Sequence, residues 1–134
     1  MTGMKNGSGV VERFKLEHDM SRRFLRVEIA GFWTADDLLA FQREAASTLQ
    51  RAIAAGATPG EGRILVVATH FSIQDKNLTD EISRIIPLYG KLAKRIAIVG
   101  SPSALQRLQM KRMTGGNAST FDCEDAAQAW LFEA

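Results

Sequence analysis

The segment Ile64-Leu65-Val66-Val67-Ala68 is apolar at every position, and Ile96-Ala97-Ile98-Val99 repeats that character later in the chain. Strands that are apolar on both sides are typical of the middle of a parallel sheet whose two faces are covered by helices. Between the two segments we expect a loop over residues 69–77, followed by an apolar pattern of helical spacing that begins near Thr79. This strand–helix–strand order predicts a βαβ unit with a right-handed crossover.

The part of the chain before this unit predicts a hairpin and a long helix. Residues 11–17 and 24–30 alternate between apolar and polar side chains, as expected for two antiparallel strands joined by a short turn. Thr34 and Asp37 have the spacing of a capping box, so we expect a helix to begin there and to end at Gly56. The expected apolar stripe of that helix consists of Leu38, Phe41, Ala45, Leu49, Ala52 and Ile53.

Two further helices and a short strand are predicted after the βαβ unit. Ser101 is the expected N-cap of the first of these helices, with Pro102 in its opening turn and Gly115-Gly116 at its end. Residues 118–121 form a brief strand, and Asp122 is expected to cap the closing helix. The residues expected to be buried are Ala104, Leu105 and Leu108 in the first helix and Ala126, Ala129 and Trp130 in the second.

The order β-β-α-β-α-β-α-β-α predicts one α/β domain with a mixed, mostly parallel sheet of about five strands and about four helices. A length of 134 residues fits a single domain, which we place at residues 10–134 after a flexible, Gly-rich lead over residues 1–9. No apolar run approaches the roughly 20 residues that span a bilayer, so we expect no transmembrane segment. With the single cysteine Cys123 the chain cannot form an internal disulfide, so we expect a reducing, cytoplasmic setting.

Three segments carry a resemblance to a known family: Gly31-Phe32-Trp33-Thr34-Ala35-Asp36-Asp37-Leu38, Lys94-Arg95-Ile96-Ala97-Ile98-Val99-Gly100, and Phe121-Asp122-Cys123-Glu124-Asp125-Ala126-Ala127-Gln128-Ala129-Trp130-Leu131. In their order and spacing, the chain resembles the STAS domain, the fold of bacterial anti-sigma-factor antagonists. More closely, it resembles the SpoIIAA-like family of small stand-alone proteins with a STAS-like or Sec14-like fold. The resemblance implies a fold rather than a specific function.

The antagonists are switched by phosphorylation of a serine at the start of their second helix. The corresponding residues 69–79 of this chain lack the Asp-Ser-Ser-Gly type of motif, and the nearest hydroxyl groups are those of Ser72 and Thr79. Because Thr79 also suits the N-cap of the second helix, we expect a structural role for it rather than phosphorylation.

The sequence offers little for catalysis. His70 follows a central strand and precedes Asp75, but no nucleophile elbow, P-loop or metal-ligand spacing accompanies it. We therefore expect no catalytic residue, no metal site, no cofactor and no enzymatic activity.

Basic residues are concentrated between Arg84 and Arg112, where seven occur without an acidic residue. No aromatic side chains lie between Arg107 and Arg112 to stack on bases, so we do not expect a nucleic acid as partner. We interpret these charges as a solvated face of the molecule. The turn Gly100-Ser101-Pro102-Ser103 precedes a helix N-terminus, which makes an anionic small molecule a candidate ligand.

We expect a non-enzymatic, STAS-like binding and regulatory module that acts through protein–protein interaction, either with a partner protein or as a homodimer. The expected contact residues are Ser72, Thr79, Ile85, Leu88, Tyr89, Gly100 and Ser101. The alternative is a protein that binds a small apolar ligand or lipid, with the helix around Pro87 as a lid. An enclosed apolar pocket of about 300 Å³ or more would favour this alternative.

Overall fold

The computed structural model describes residues 13–90, 93–101, 103–114 and 118–133, and for residues 86–90, 113 and 114 it describes the backbone alone. Three predicted features therefore lie wholly outside the described residues. They are the lead over residues 1–9, Pro102 and the Gly115-Gly116 stop.

Within the described residues, five strands form one sheet in which strands that follow each other in the chain are also neighbours in space. The strands are β1 (Phe14–Asp19), β2 (Phe24–Gly31), β3 (Gly62–Phe71), β4 (Ala93–Val99) and β5 (Ser119–Phe121). Strand β1 is antiparallel to β2, and all other neighbours are parallel, with Val66 of β3 opposite Val27 on one side and Ile98 on the other. The predicted hairpin and the predicted mixed, mostly parallel sheet are confirmed.

The four helices in the described part of the chain cover the sheet, three on one face and one on the other. They are α1 (Ala35–Ala54), α2 (Lys76–Gly90), α3 (Ala104–Thr114) and α4 (Glu124–Leu131). Right-handed crossovers that step in one direction across a sheet place their helices on the same side. Accordingly, Leu38, Leu78 and Met110 of the first three helices share one buried cluster, while Leu131 of α4 packs with Leu65 in a second.

The start of α1 follows the sequence prediction. The Thr34 hydroxyl accepts a hydrogen bond from the Asp37 backbone N–H at 3.2 Å, and the Asp37 carboxylate accepts one from the Thr34 N–H at 2.9 Å. Trp33, just before this capping box, is 2% exposed, and its indole donates to the carbonyl of Ala30 at 3.0 Å. Its ring packs against Phe41 and Phe71 with centroid distances of 5.3 Å each. Trp33 is therefore a core residue.

The other helices begin at residues different from those predicted. The cap of α2 is Asp75, whose carboxylate accepts from the Leu78 N–H at 2.9 Å, so the assignment of Thr79 was wrong. The cap of α3 is Ser103, whose hydroxyl accepts from the Gln106 N–H at 3.2 Å, and not Ser101. These acceptors stand immediately before their helices, where the unpaired N–H groups of the first turn point.

Helix α4 also begins later than predicted, and its buried face differs. Its N-cap is Cys123 rather than Asp122, and the thiol makes no capping hydrogen bond. The fully buried residues are Ala127 and Leu131, whereas Ala126 and Ala129 are exposed and Trp130 is half-buried against Phe121. The fully buried stripe thus lies one residue further along the chain than predicted.

Helix α3 reverses the predicted pattern of burial. Leu105 and Leu108 are 60% and 46% exposed, and Ala104 is exposed as well, while Gln106 is 2% exposed and Met110 is buried. In α1 the predicted stripe is confirmed except at its end, where Ile53 is exposed and Thr48 is buried. The side chain that turns inward in α3 is a glutamine because the sheet offers it unpaired carbonyl groups, as described below.

Two bounds in the middle of the chain also differ. Strand β3 continues to Phe71, so His70 lies within the strand and not in a loop after it. Helix α2 begins at Lys76, earlier than predicted, and continues past Pro87 to Gly90. The loop between β3 and α2 is thus limited to residues 72–75.

A cluster of charged side chains joins α4 to strands β1 and β2, on the sheet face that α4 covers. The Arg26 guanidinium of β2 contacts the carboxylates of Glu124 at 2.5 Å, Glu28 at 3.1 Å and Glu17 at 3.4 Å. The hydrogen bond that Arg26 donates to Glu124 is the largest reason why the pKa of Arg26 is raised, and burial opposes it. Arg26 therefore stays charged and ties the first turn of α4 to two strands.

Candidate functional site

The carboxyl ends of β2, β3 and β4 meet at one edge of the sheet, and α1, α2 and α3 begin at that edge. Ligands of open α/β sheets bind at such edges. The chain leaves β2 through Gly31, whose φ of 81° lies in the left-handed region that favours glycine. The Gly31 carbonyl accepts a hydrogen bond from the Ser72 N–H at 3.2 Å, so the ends of β2 and β3 stay paired.

Gln74 is a buried side chain at this edge, 4% exposed. Its amide group donates to the carbonyls of Gly31 at 2.9 Å and Ser72 at 2.6 Å. Its side-chain oxygen accepts from the Trp33 N–H at 2.8 Å. Both donors and the acceptor of the amide are thus used to hold the segment after β2 against the loop after β3.

The side chain of Gln109 on α3 binds backbone groups of the same loop. Its side-chain oxygen accepts from the Gln74 N–H at 2.8 Å, and its amide donates to the Gln74 carbonyl at 3.0 Å. This reciprocal pair resembles one step of a β-ladder made by a side chain. It fixes α3 against residues 72–75.

Gln106 connects the ends of β3 and β4. Its amide donates to the carbonyls of Ala68 at 3.1 Å and Phe71 at 3.2 Å, and its oxygen accepts from the Ser101 N–H at 3.3 Å. A buried polar side chain is tolerated when its donors and acceptors are paired, and here they all are. The inward position of Gln106 is what turns Leu105 and Leu108 toward solvent.

The three glutamines hold the edge together, and the amide groups of Gln74 and Gln106 are fully used within the fold. Sequence reasoning missed all of them, because a glutamine in a helix or a loop carries no motif. One signal is available in the sequence: α3 contains few apolar residues, so part of its buried face has to be polar.

Outside this layer of glutamines, large apolar side chains are exposed. We define the strand-end surface as Phe32 after β2, Ile73 after β3, and Leu105 and Leu108 on α3. Their exposed fractions lie between 43% and 60%. They follow three neighbouring strands at one edge, and the Gln74–Gln109 pair brings the loop of Ile73 to the side of α3. An exposed apolar group of this kind, with polar residues around it, is typical of interaction sites.

Some of the predicted contact residues lie at this edge. Ser72 is exposed and follows β3, while Gly100 and Ser101 are half-buried after β4. The hydroxyl of Ser101 accepts from the Ser103 N–H at 3.2 Å. Gly100 leaves room for the side chains of Gln106 and Arg107, each of which a Cβ would approach to about 3.3–3.4 Å.

The remaining predicted residues lie elsewhere on α2. The Thr79 hydroxyl donates to the carbonyls of Asp75 at 2.7 Å and Lys76 at 3.0 Å, within the helix. Ile85 packs against the buried core. The backbone of Leu88 and Tyr89 lies in α2 about 18 Å along the helix axis from Lys76, and their side chains lie outside the described residues. The structure therefore does not bring α2's last turn to the strand-end surface.

Acidic residues balance part of the basic stretch. Arg107 donates to the Ser101 carbonyl at 2.8 Å and pairs with Asp122 at 3.1 Å, and Arg84 pairs with Glu81 within α2. These pairs support the interpretation of this stretch as a solvated face.

Two findings concern metals and membranes. In the described part of the chain, no three His, Cys, Asp or Glu side chains lie close enough together to hold a metal ion. Among the same residues, no helix has the length and apolar character that crossing a membrane requires.

An apolar cleft lies at the opposite edge of the sheet, beneath the second half of α1. Its volume is about 110 Å³. Its apolar lining includes Leu25, Leu49, Ala52, Ile53 and Ile64. Drug-sized ligands occupy pockets of about 300–1,000 Å³, so this cleft is small for a lipid.

Comparison with solved structures gives a match over nearly the whole chain. It is the crystal structure of an uncharacterized protein of the DUF3478 family with a SpoIIAA-like fold from Shewanella loihica PV-4. The TM-score is 0.62 at 20% sequence identity, and the match covers 96% of this chain and 99% of that one. The fold is SpoIIAA-like.

The SpoIIAA-like fold confirms the architecture that the three sequence segments implied. No protein-family model and no curated protein matches the chain. At this level of identity the likeness concerns the fold alone, because the same fold can hold different sites. Function must therefore be argued from the side chains of this chain.

Proposed function

We propose that this protein is a non-enzymatic binding module that contacts another polypeptide through the strand-end surface. The observation that carries the proposal is the reversed helix α3, where Leu105 and Leu108 face solvent and Gln106 faces the core. A helix on a sheet ordinarily buries its leucines and exposes its glutamines. Exposed leucines lose the free energy of burial, about 1.5–3 kcal/mol each, unless a partner covers them.

The support beneath this surface favours the same function. Gln74 binds backbone groups of the segments that carry Phe32 and Ile73, and Gln106 and Gln109 tie α3 to the end of β3 and to the loop after it. A contact surface that is already ordered spends little conformational entropy when it binds. The glutamine layer thus suits a surface that meets its partner without rearrangement.

The alternative function, binding of a small apolar ligand or lipid, has less support. The described cleft holds about 110 Å³ and lies under α1 rather than under the helix around Pro87. The residues on which the lid hypothesis rests, Pro87 to Tyr89, have side chains outside the described part of the chain. The lid therefore remains a sequence-based hypothesis.

A photo-crosslinking experiment tests the proposed surface. We would place benzoylphenylalanine at position 105 or, as a matched control, at position 53. Ile53 is also exposed, but it lies in the last turn of α1, away from the edge at which the strand-end surface lies. The expected result is a discrete crosslinked band of protein size at position 105 and none at position 53. Equal crosslinking at both positions, or none at position 105, would contradict the proposal.

A further inference from the structure

Three arginines surround the end of α4. Arg63 of β3 donates through Nε to the Leu131 carbonyl at 2.6 Å, and Arg95 of β4 donates to the Trp130 carbonyl. The two arginines are direct cross-strand partners, so their Cα atoms lie about 4.8 Å apart. We call Arg22, Arg63 and Arg95 the arginine cluster.

Aromatic rings hold these side chains in place. The Arg22 guanidinium lies 4.3 Å from the ring centroid of Phe132 and 5.1 Å from that of Phe24. Arg63 lies 5.2 Å from the Phe132 ring, and Arg95 lies 4.9 Å from the Trp130 ring. Such stacking fixes the direction of a guanidinium while its charge is kept.

The charge of the cluster is only partly balanced by the described residues: the Asp19 carboxylate accepts from the Arg22 backbone N–H at 3.4 Å, and the Arg22 charge helps to lower the pKa of Asp19. None of the ion pairs in the described part of the chain includes Arg22, Arg63 or Arg95, whereas the neighbouring Arg23 pairs with Glu61 at 2.7 Å. Two members bind the last carbonyls of α4, which accounts for one N–H group of each. Arg22 binds no carbonyl of α4, so the helix end does not explain the third positive charge.

We propose that the arginine cluster binds neighbouring carboxylates of an acidic peptide segment on a partner protein. The planar fork of arginine matches a carboxylate with two parallel hydrogen bonds. The rings of Phe132 and Trp130 are already covered by guanidinium groups, so they do not offer a stacking surface to nucleic-acid bases. The cluster is compact, which suits one or two adjacent acidic side chains better than a long phosphate backbone.

Fluorescence anisotropy tests this with a short fluorescein-labelled poly-glutamate peptide at low salt. Arg22→Glu is expected to weaken binding about fivefold or more, because like charges now face each other. Arg43→Glu is the matched control, since Arg43 is exposed on α1 and forms no ion pair with a described residue. Arg22→Gln, a milder change at an exposed site, is measured in parallel with thermal melting to separate binding from folding. Leu105→Ser with Leu108→Ser should leave peptide binding unchanged, which separates this proposal from the strand-end surface.

The opposite outcomes overturn the proposal. If Arg22→Glu and Arg43→Glu weaken binding equally, or if the wild-type chain does not bind the peptide, the cluster has no specific role. If an oligothymidylate of matched length binds more tightly than the peptide and loses that binding in Arg22→Glu, the partner is a nucleic acid and the proposed partner is wrong.

Discussion

At the scale of single residues, three glutamines determine what the candidate surface exposes. Gln106 takes an inward position on α3 because the carbonyls of Ala68 and Phe71 and the Ser101 N–H need partners. No ordinary apolar side chain could satisfy those groups. The leucines on either side of it are therefore displaced to solvent.

Replacing Gln106 should lower the free energy of unfolding measurably. Gln106→Ala removes three hydrogen bonds of a side chain that is 2% exposed, so we expect the free energy of unfolding to fall by about 2–3 kcal/mol. Gln50→Ala, at an exposed position of α1, should change it by less than about 0.5 kcal/mol. Chemical denaturation measures both. A similar small loss for the two variants would show that the Gln106 hydrogen bonds do not stabilise the edge.

The turn between β1 and β2 allows a test by titration. The hydroxyl and N–H of Ser21 donate to the Asp19 carboxylate at 2.7 and 3.1 Å, and the Ser21 hydroxyl is the largest reason why the pKa of Asp19 lies below its ordinary value of 3.8. A lowered pKa in the folded state stabilises the fold above pH 3.8, and this is lost as the pH falls through the lowered pKa. Ser21→Ala should raise the pKa of Asp19 in an NMR titration, and Ser72→Ala should not. An unchanged pKa in Ser21→Ala would contradict the assignment.

At the scale of elements, the sequence predicted the existence of each helix better than its first residue. The capping box at Thr34 and Asp37 was found because two side chains reinforce one signal. The cap of α3 was misassigned because Ser101 and Ser103 both lie before the helix, and spacing alone does not separate them. The predicted buried face of α3 was wrong because a stripe of apolar residues does not reveal which carbonyls of the sheet require a polar partner. The predicted buried face of α4 was displaced by one residue.

The N-cap residue of α4 leaves the N–H groups of the first turn without a side-chain acceptor of its own. Cys123 has extended backbone angles suited to an N-cap, but its thiol makes no capping hydrogen bond. Cys123→Ser supplies a hydroxyl of similar size, so the free energy of unfolding should rise by about 0.5–1 kcal/mol. Cys123→Ala removes the thiol without adding an acceptor and should give no increase. Equal stabilities of the serine and alanine variants in denaturant would show that this helix end gains nothing from a side-chain cap.

At the scale of the whole molecule, the sheet and its connections could be predicted, whereas the candidate surface could be predicted only in part. The two apolar segments beginning at Ile64 and Ile96 predicted a βαβ unit in the middle of the sheet, whereas the order of the five strands comes from the structure. Ser72, Gly100 and Ser101 could be placed near one another because each follows a predicted parallel strand. The exposed leucines could not be predicted, because their exposure results from long-range bonds of Gln106.

The central claim is that the strand-end surface binds a polypeptide, and native mass spectrometry of protein purified gently from its own host tests it most directly. We predict a complex with a second copy or a partner protein that is lost when Leu105→Ser and Leu108→Ser are combined and retained in Ile53→Ser. A single chain that carries a lipid-sized molecule, or a complex that survives the combined Leu105 and Leu108 substitutions, would contradict the claim.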